Sequence, residues 1–537
     1  MNSLVEKVKG FASSTSRALW RALKEINMKF VGKNYIDGEW VASEKEYQNV
    51  NPSTGKSLGS FPYADDALVK KAVESARRAF KSWKKVSRFT RSDYLNKVAQ
   101  IIERRRDEIA KVISLETGKN YNESIAEVNE ALHMAQFAFG SGRYPHGEAV
   151  SSEIADKDSY MLRKPKGVIA IVSPFNFPLA IGAFWNAAPA IVEGNTVVLK
   201  PSEDAPMSTQ IAVEIYHEAG IPKGVINLVH GDGETGDALV SGDVDHICFT
   251  GSAEIGQYIR KVAANSWHKT TSCEMGSKSA VIIFEDANAD LALESCIASS
   301  FKLSGQRCVS SSRLIVQRSI MKSFAQNFAG LASQLRAGDP FKKVVRSTGM
   351  PEAVAWDEIV PDESTYYGPL INHSALEKVE EYNSMVFNDA ARNKINLLLK
   401  GERVGDRGYF MSPTVYITEW SDAPYLKNEV FGPHVAIIPF DTIEDAIRIY
   451  NDTEYGLAVG VLTEDFKKAR VMRDECDAGM IYWNGGSIAA ESHLAFGGVK
   501  KSGNGFPTAA RTFRSVTHEI SWTVNHAESL EFPQGMK

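Results

Sequence analysis

The sequence predicts an α/β protein with two lobes, and three observations support this. Five short apolar runs alternate with stretches long enough for crossover helices, as is typical of a parallel sheet: VIAIV, NTVVLK, VINLVH, HICFT and AVIIF. A second alternating series follows: RLIV, SFAQNFAGLASQL, VAIIPF and GLAVGVLT. The chain's 537 residues, 43% of them hydrophobic, can also form more than one domain.

Helical spacing before the first of these strands predicts two scaffold helices. The first carries apolar residues at Val69, Ala72, Val73, Ala76, Phe80 and Trp83, and the second at Leu95, Val98, Ile101, Ile102, Ile109 and Val112. The apolar stretch 167–194 is long enough to span a bilayer, but three prolines and two asparagines interrupt it. A buried strand, a turn and a core helix explain it better.

Charge and cysteine content narrow the function. The net charge of −5 arises from 61 basic and 66 acidic residues spread along the chain, so no surface for nucleic acid is indicated. Five cysteines without CxxC pairs or neighbouring histidines predict a reducing, cytoplasmic compartment and no structural metal. Residues 1–29 form an N-terminal extension that resembles a mitochondrial transit peptide only weakly, and a docked amphipathic helix is favoured. Phe341 to Tyr367 is expected to be an irregular surface insertion.

Glycine-rich turns after the apolar runs predict a phosphate site. GDGETG, starting at Gly231, matches GxGxxG, although a turn without any ligand explains this string equally well. Gly251 and Ser252 follow the next strand, where a helix N-terminus would expose amide donors. Lys200 ends another strand and Glu203 lies just beyond it, so the pair can hold ribose hydroxyls, or form a chance ion pair on a solvated loop.

Two further residues suggest acyl chemistry. Glu274 precedes a hydrophobic strand, and burial there would raise its pKa towards that of a general base, although a structural loop carboxylate is the favoured interpretation from this string alone. Cys308 lies within SGQRCVSSS and is either a buried thiol or a nucleophile.

Seven motifs occur in the order found in NAD(P)-dependent aldehyde dehydrogenases: SPFNFP, VVLKPSE, FTGSAEIG, EMGSK, GQRC, NEVFGP and FGGVKKSGNG. The chain resembles the hydrolytic members of this family from Ile36 to the C-terminal tail. The resemblance implies that Cys308 is the nucleophile, that Asn176 and the Cys308 amide form an oxyanion hole, and that Glu274 is the base.

The resemblance also assigns the cofactor and substrate residues. It implies that NAD(P) binds Lys200, Glu203, Gly231, Gly251, Ser252, Glu429 and Phe431. The carboxylate of Glu203 favours NAD over NADP, because it would repel a 2′-phosphate. The small aldehyde substrate is expected to meet Phe177, Trp185, Trp483 and the loop 485–493. Arg307 would either bind the carboxylate of an amino-acid-derived semialdehyde or form a structural ion pair.

The implied fold is aldehyde-dehydrogenase-like, with a Rossmann-type NAD-binding domain (30–148 and 166–276), an α/β catalytic domain (277–484) and a small β oligomerisation element (149–165 and 505–537). The run Ser159 to Arg163 would pair with the strand near HEISWTV and join subunits into a homodimer or homotetramer. Three departures from the family pattern, at Leu303, Ser277 and Ala495, argue against a close assignment to a known substrate subgroup.

Two alternatives stay open. A CoA-acylating aldehyde dehydrogenase would pass the thioester to a thiol, but the retention of Glu274 argues against it. A catalytically retired binding or structural protein of the same fold would not need Cys308, Glu274 and Asn176 together.

Overall fold

The computed structural model describes residues 30–342, 359–505, 508–529 and 532. From Phe30 onward the structure has five strands followed by four helices. The strands are β1 (Phe30–Val31), β2 (Asn34–Ile36), β3 (Glu39–Val41), β4 (Glu46–Val50) and β5 (Ser57–Pro62), and the helices are α1 (Asp66–Trp83), α2 (Arg88–Arg104), α3 (Arg106–Thr117) and α4 (Tyr121–Ser141). The first predicted helix is confirmed. The second was wrong in extent, because the chain breaks at Arg105 (φ −98°, ψ 11°) and a new helix begins there.

The next elements supply five strands of an eight-stranded sheet, to which β2 and β3 also belong. After β6 (Gly147–Val150) and β7 (Lys157–Pro165) come β8 (Val168–Val172), a π-helix (Ile181–Asn186), α5 (Ala187–Glu193), β9 (Thr196–Lys200), α6 (Pro206–Glu218), β10 (Ile226–Leu228), α7 (Gly233–Ser241), β11 (His246–Thr250), α8 (Ala253–Ala264) and β12 (Thr270–Glu274). Five parallel strands form its centre in the order β12-β11-β8-β9-β10.

Side chains of β8 alternate between two apolar layers. Ile169 and Ile171 pack into the core that includes α2, α4 and α5, whereas Val168 and Ala170 face the layer of α1 and α7. Burial on both faces is what a central parallel strand requires.

A seven-stranded sheet forms the second lobe. Its elements are β13 (Ala280–Ile283), α9 (Ala289–Phe301), a 3₁₀ turn (Lys302–Gly305), β14 (Arg313–Gln317), α10 (Arg318–Ala332), α11 (His373–Ala391), β15 (Asn396–Leu399), β16 (Thr414–Ile417), α12 (Pro424–Lys427), β17 (His434–Phe440), α13 (Ile443–Asn451), β18 (Tyr455–Gly456), β19 (Ala458–Leu462), α14 (Phe466–Glu475) and β20 (Met480–Trp483). The sheet order is β15-β16-β17-β14-β13-β19-β20, parallel except at β15.

The C-terminal segment returns to the other sheets. It contains β21 (Ala495–Phe496), β22 (Val499–Lys500), β23 (Gly503–Asn504), β24 (Thr508–Ala509), α15 (Thr512–Ser515) and β25 (Thr517–Asn525). Strand β23 pairs with β12, and β25 pairs antiparallel with β7, which in turn pairs with β6. The predicted pairing is confirmed, with Ser159 opposite Thr523 and Arg163 opposite Glu519.

The α/β class and the presence of two alternating series are confirmed. The assignment of AVIIF to the first series was wrong: it forms β13 of the second sheet, and β12 completes the parallel centre of the first. Stretch 167–194 folds as a strand, a turn and helical turns, and no helix within the described ranges is long and apolar enough to cross a membrane. The N-terminal extension and most of the predicted insertion lie outside the described residues. The insertion's last residue, Tyr367, is fully buried and donates its hydroxyl to the Met411 carbonyl, so a surface position was wrong there.

Candidate active site

The carboxyl ends of the central parallel strands meet at one edge of the first sheet. Lys200 ends β9, Gly231 follows β10, Gly251 and Ser252 follow β11, and Glu274 ends β12. Open α/β sheets bind ligands at this edge. The predicted cofactor residues on the first sheet therefore lie where a ligand would bind.

The chain crosses from the first sheet to the second between Glu274 and Ala280. Glu274 is 2% exposed, and neither of its carboxylate oxygens has a hydrogen-bond partner among the described residues. Burial raises its pKa well above the usual value. A buried acid without partners costs stability, and such groups are common at reactive sites.

Two neighbours of Cys308 fix its loop in place. Gly305 has φ +73°, and a Cβ there would lie 2.3 Å from the carbonyl oxygen of Gly432, so glycine is required. The Gln306 side chain accepts a hydrogen bond from the Ile371 amide at 3.0 Å and donates to the Pro369 carbonyl at 3.2 Å. The Gly-Gln pair therefore holds the cysteine loop against the second lobe.

Cys308 itself is partly buried at this crossing point. Burial raises the pKa of its thiol to about 12, with further contributions from the charges of Glu274 and Glu429, whereas hydrogen bonds from the Val309 and Cys308 amides lower it. This environment favours the protonated thiol, whereas an incoming positive charge would favour the thiolate.

Asn176 lies beyond β8 and is 5% exposed. Its side-chain Nδ2 donates to the backbone carbonyl of Gln306 at 2.9 Å, two residues before Cys308. The structure thus brings together all three predicted catalytic residues, since Asn176 donates to the cysteine loop and the charge of Glu274 raises the pKa of Cys308.

Glu429 and Phe431 lie in the loop before β17. Glu429 accepts the Ser277 amide at 2.7 Å, and a Cβ on Gly276 would lie 2.4 Å from the Glu429 carboxylate. Burial raises the pKa of Glu429 to about 7. Phe431 has φ +60°, and its ring meets Phe175 edge-on with centroids 6.0 Å apart.

Ser277, which departs from the family pattern, joins this network. Its hydroxyl donates to the backbone carbonyl of Cys308, while its amide donates to Glu429. One residue therefore connects the cysteine loop with the loop of Glu429, and no sequence signal indicated that link.

The residues on the first sheet form a cradle that can hold a dinucleotide. The buried Lys200 ammonium lies 3.5 Å from the Glu203 carboxylate, which is half exposed, so both groups can reach ribose hydroxyls. Ser252 caps α8 by accepting the Ile255 amide. A Cβ on Gly251 would lie 2.5 Å from the Phe249 ring, so a side chain does not fit there.

Arg307 forms the predicted structural ion pair. Its guanidinium lies 3.0 Å from the Glu123 carboxylate of α4, and both side chains are largely buried. The Phe177 ring contacts two cations: its centroid lies 5.4 Å from this guanidinium and 3.8 Å from the Lys119 ammonium. The cysteine loop is thereby attached to α4.

The two predicted tryptophans differ. Trp185 is 4% exposed, lies in the π-helix and contacts the Phe496 ring. Trp483 was wrong as a pocket residue: it is 50% exposed and packs on Phe466 of α14. Because neighbouring strand residues face opposite sides, Tyr482 faces the site instead. Burial, and after it the charge of Cys308, raises the pKa of Tyr482 to about 12.

Comparison with known proteins decides the family. A sequence model described as the aldehyde dehydrogenase family matches residues 40–520. The chain belongs to the aldehyde dehydrogenase family. The aldehyde dehydrogenases are oxidoreductases, so the enzyme class predicted from the sequence is confirmed.

Relatives within the aldehyde dehydrogenase family carry different substrate names. The mitochondrial succinate-semialdehyde dehydrogenase of Oryza sativa subsp. japonica is 34% identical, covering 88% of this chain and 85% of its own length. The betaine aldehyde dehydrogenase of Bacillus subtilis is also 34% identical, covering 88% and 93%.

Solved structures confirm the aldehyde dehydrogenase fold. The NAD-dependent aldehyde dehydrogenase of Sinorhizobium meliloti is 30% identical with a TM-score of 0.86, covering 94% of this chain and 97% of its own. The betaine aldehyde dehydrogenase of Staphylococcus aureus, solved in complex with NAD⁺, is 30% identical with a TM-score of 0.84, covering 96% and 98%.

Proposed function

We propose that this chain oxidises an aldehyde to a carboxylic acid with NAD as the acceptor, through a thioester on Cys308 that is hydrolysed with Glu274 as the base. The observation that carries the proposal is the buried Glu274 carboxylate, whose oxygens have no hydrogen-bond partner among the described residues and whose charge acts on Cys308. Such a group is free to take a proton from water.

The first step needs a nucleophile and donors for the charge that develops. The Cys308 thiol loses its proton to solvent, the thiolate adds to the aldehyde carbonyl carbon, and the electron pair of the C=O bond passes to the oxygen, which becomes an oxyanion. The Asn176 amide and the Cys308 backbone N–H would stabilise it. Asn176 donates to Gln306 in the resting structure, so it must turn towards the oxyanion or share its second N–H.

NAD, when bound, supplies the acceptor for the hydride that leaves the aldehyde carbon. Lys200 and Glu203 would hold the adenosine ribose, with Gly231 beside the adenine. The Ser252 amide at the start of α8 would hold the pyrophosphate beside Gly251, whose own N–H donates to the Glu274 carbonyl. Glu429 and Phe431 would position the nicotinamide half. The cradle fits such a group because a buried cation, Lys200, lies beside the half-exposed carboxylate of Glu203 at the carboxyl end of β9.

Hydrolysis completes the cycle. Cys308 then carries the acyl group as a thioester, and Glu274 removes a proton from the attacking water. The carboxylic acid leaves and the thiolate is restored.

The CoA-acylating alternative is tested with the same substrates. Wild-type protein with aldehyde and NAD is expected to yield free acid at the same rate with and without CoA. Formation of acyl-CoA at the expense of the acid would support the alternative, and absence of NADH across a broad aldehyde panel would support the retired protein.

Replacing Asn176 with alanine is expected to lower kcat about a hundredfold or more, because the developing oxyanion loses a side-chain donor. Steady-state NADH formation at 340 nm measures this. Asn265→Ala, at an exposed position after α8, is the control. A change in kcat within about threefold for Asn176→Ala would argue against the oxyanion role.

Replacing Glu203 with glutamine is expected to shift the ratio of kcat/KM for NAD over NADP about tenfold towards NADP, because the carboxylate that repels a 2′-phosphate is removed. Glu218→Gln, on the exposed end of α6, is the control. An unchanged ratio would remove Glu203 from cofactor selection.

For the substrate, the predicted semialdehyde rests on Arg307, whose guanidinium is paired with Glu123. A substrate carboxylate would have to compete with that buried pair, so we assign Arg307 a structural role. Relatives named for semialdehydes and for betaine aldehyde are equally similar to the chain.

The predicted domain division is retained as part of this proposal, with β7 and β25 forming the element that joins subunits into a homodimer or homotetramer.

All five cysteines are free thiols, which supports a reducing, cytoplasmic compartment.

A further inference from the structure

A cavity of about 320 Å³ lies between α4, the π-helix and the loop before β21. Glu130, His133 and Trp185 line it from one side and Glu491 and His493 from the other. Two hydrogen bonds place its loop wall next to the nucleophile: Tyr482 donates its hydroxyl to the carbonyl of Ala489, which adjoins the lining residue Ala490, and Ser487 donates to the carbonyl of Val309, which adjoins Cys308. The cavity is thus placed to receive the far end of an aldehyde held at Cys308.

Two carboxylates, Glu130 and Glu491, and two histidines line this cavity, and Glu130 is the last of three acids on one helix face. Glu123, Glu127 and Glu130 follow one face of α4, since their spacing is four and three residues. Glu123 pairs with Arg307, and Glu127 pairs with Lys119 in full burial. Among the described residues, Glu130 has no ion pair or side-chain hydrogen bond.

No lysine or arginine lies among the described residues that line the cavity. Glu491, on the opposite wall, lies 3.3 Å from His493. A substrate carboxylate would therefore approach unpaired negative charge, whereas a cation would find carboxylates and an aromatic wall.

We propose that this cavity binds the positively charged nitrogen of an aldehyde substrate, an ammonium or trimethylammonium group, against Glu130 and the ring of Trp185. The inference rests on the proposed aldehyde oxidation and names its substrate class. It also differs from the semialdehyde expectation, since the charge recognised has the opposite sign. Burial and the charge of Glu127 raise the pKa of Glu130 to about 7, and a bound cation would favour its ionised form.

Three aldehydes test the charge preference at constant reaction chemistry. Betaine aldehyde and 3,3-dimethylbutanal have the same shape and differ in a quaternary nitrogen against a carbon, and succinate semialdehyde carries a carboxylate. The wild type is expected to show a kcat/KM for betaine aldehyde at least about tenfold above that for 3,3-dimethylbutanal. A preference for the neutral or the anionic aldehyde would overturn the inference.

Two glutamate-to-glutamine variants test whether Glu130 causes the preference for the cationic aldehyde. Glu130→Gln is expected to lower kcat/KM about tenfold for betaine aldehyde and to leave 3,3-dimethylbutanal within about twofold. Glu74→Gln, at an exposed position on α1 and outside the cavity lining, is the matched control and should change neither. Equal losses of Glu130→Gln on both aldehydes would mean that Glu130 only supports the fold.

A measurement on the wild type keeps the test valid if Glu130→Gln fails to fold. Choline is expected to inhibit competitively against aldehyde at lower concentration than 3,3-dimethyl-1-butanol, its neutral counterpart. Equal inhibition would contradict the inference. If 3,3-dimethylbutanal is oxidised and betaine aldehyde is not, only this inference fails; if no aldehyde is oxidised, the proposed function fails first.

Discussion

Replacing Cys308 with serine is expected to lower kcat for NADH formation about a thousandfold or more, because a serine hydroxyl does not form a comparable nucleophile at neutral pH. The loss should occur with every aldehyde that the wild type oxidises. NADH absorbance at 340 nm measures it, and binding of NAD, followed by tryptophan fluorescence, should be retained.

Cys476→Ser is the matched control for this variant. Cys476 directly follows α14 in the same lobe and its thiol contacts Met472, so the same chemical change is made away from the crossing segment. The control is expected to keep wild-type kcat. Equal activity of Cys308→Ser and the wild type would return Cys308 to the role of a buried thiol.

Replacing Glu274 with glutamine is expected to slow steady-state turnover about a hundredfold or more while a first, rapid burst of NADH persists. Glutamine keeps the size of the side chain but cannot take a proton, so hydride loss proceeds and thioester hydrolysis does not. Stopped-flow absorbance resolves the two phases. A burst equal to the enzyme concentration is the expected amplitude.

The control and the pH dependence sharpen this prediction. Glu103→Gln, at an exposed position on α2, should behave as the wild type. Because burial raises the pKa of Glu274, its protonated form persists to higher pH than for an ordinary carboxyl, and wild-type hydrolysis should speed up as pH rises through that pKa. Loss of the burst together with turnover would assign Glu274 to an earlier step.

Much of the site could be predicted from short strings because parallel strands bring their carboxyl ends to one edge. Lys200 and Gly251 each end or follow a predicted strand, so recognising the strands was enough to bring them together. Glu274 ends β12, which was not predicted, because the sequence placed Glu274 before the next strand. Gly305 and Gln306 are explained by the close approach of Gly432 and by the bonds to the segment 369–371.

Contacts between distant parts of the chain could not be predicted. Arg307 and Glu123 are 184 residues apart, and nothing in either string names the other. Trp483 was predicted to face the site in place of Tyr482 because MIYW is apolar or aromatic at every position, so the pattern does not show which side chains point towards the site. The pairing of β20 with β19 decides that.

Two other features escaped the pattern for local reasons. The break at Arg105 carries no proline or glycine, so the apolar spacing runs on across it. Ser487, within the loop 485–493, donates to the Val309 carbonyl and so holds the cysteine loop. Serine is common in loops, so its presence in the sequence did not indicate this contact.

The central claim, a thioester on Cys308 that Glu274 helps to hydrolyse, is tested most directly by mass spectrometry of Glu274→Gln quenched during turnover. With aldehyde and NAD, the peptide that contains Cys308 should gain the mass of the aldehyde less two hydrogens, and without NAD it should not. An unmodified Cys308 peptide, or the same gain on another cysteine, would contradict the account.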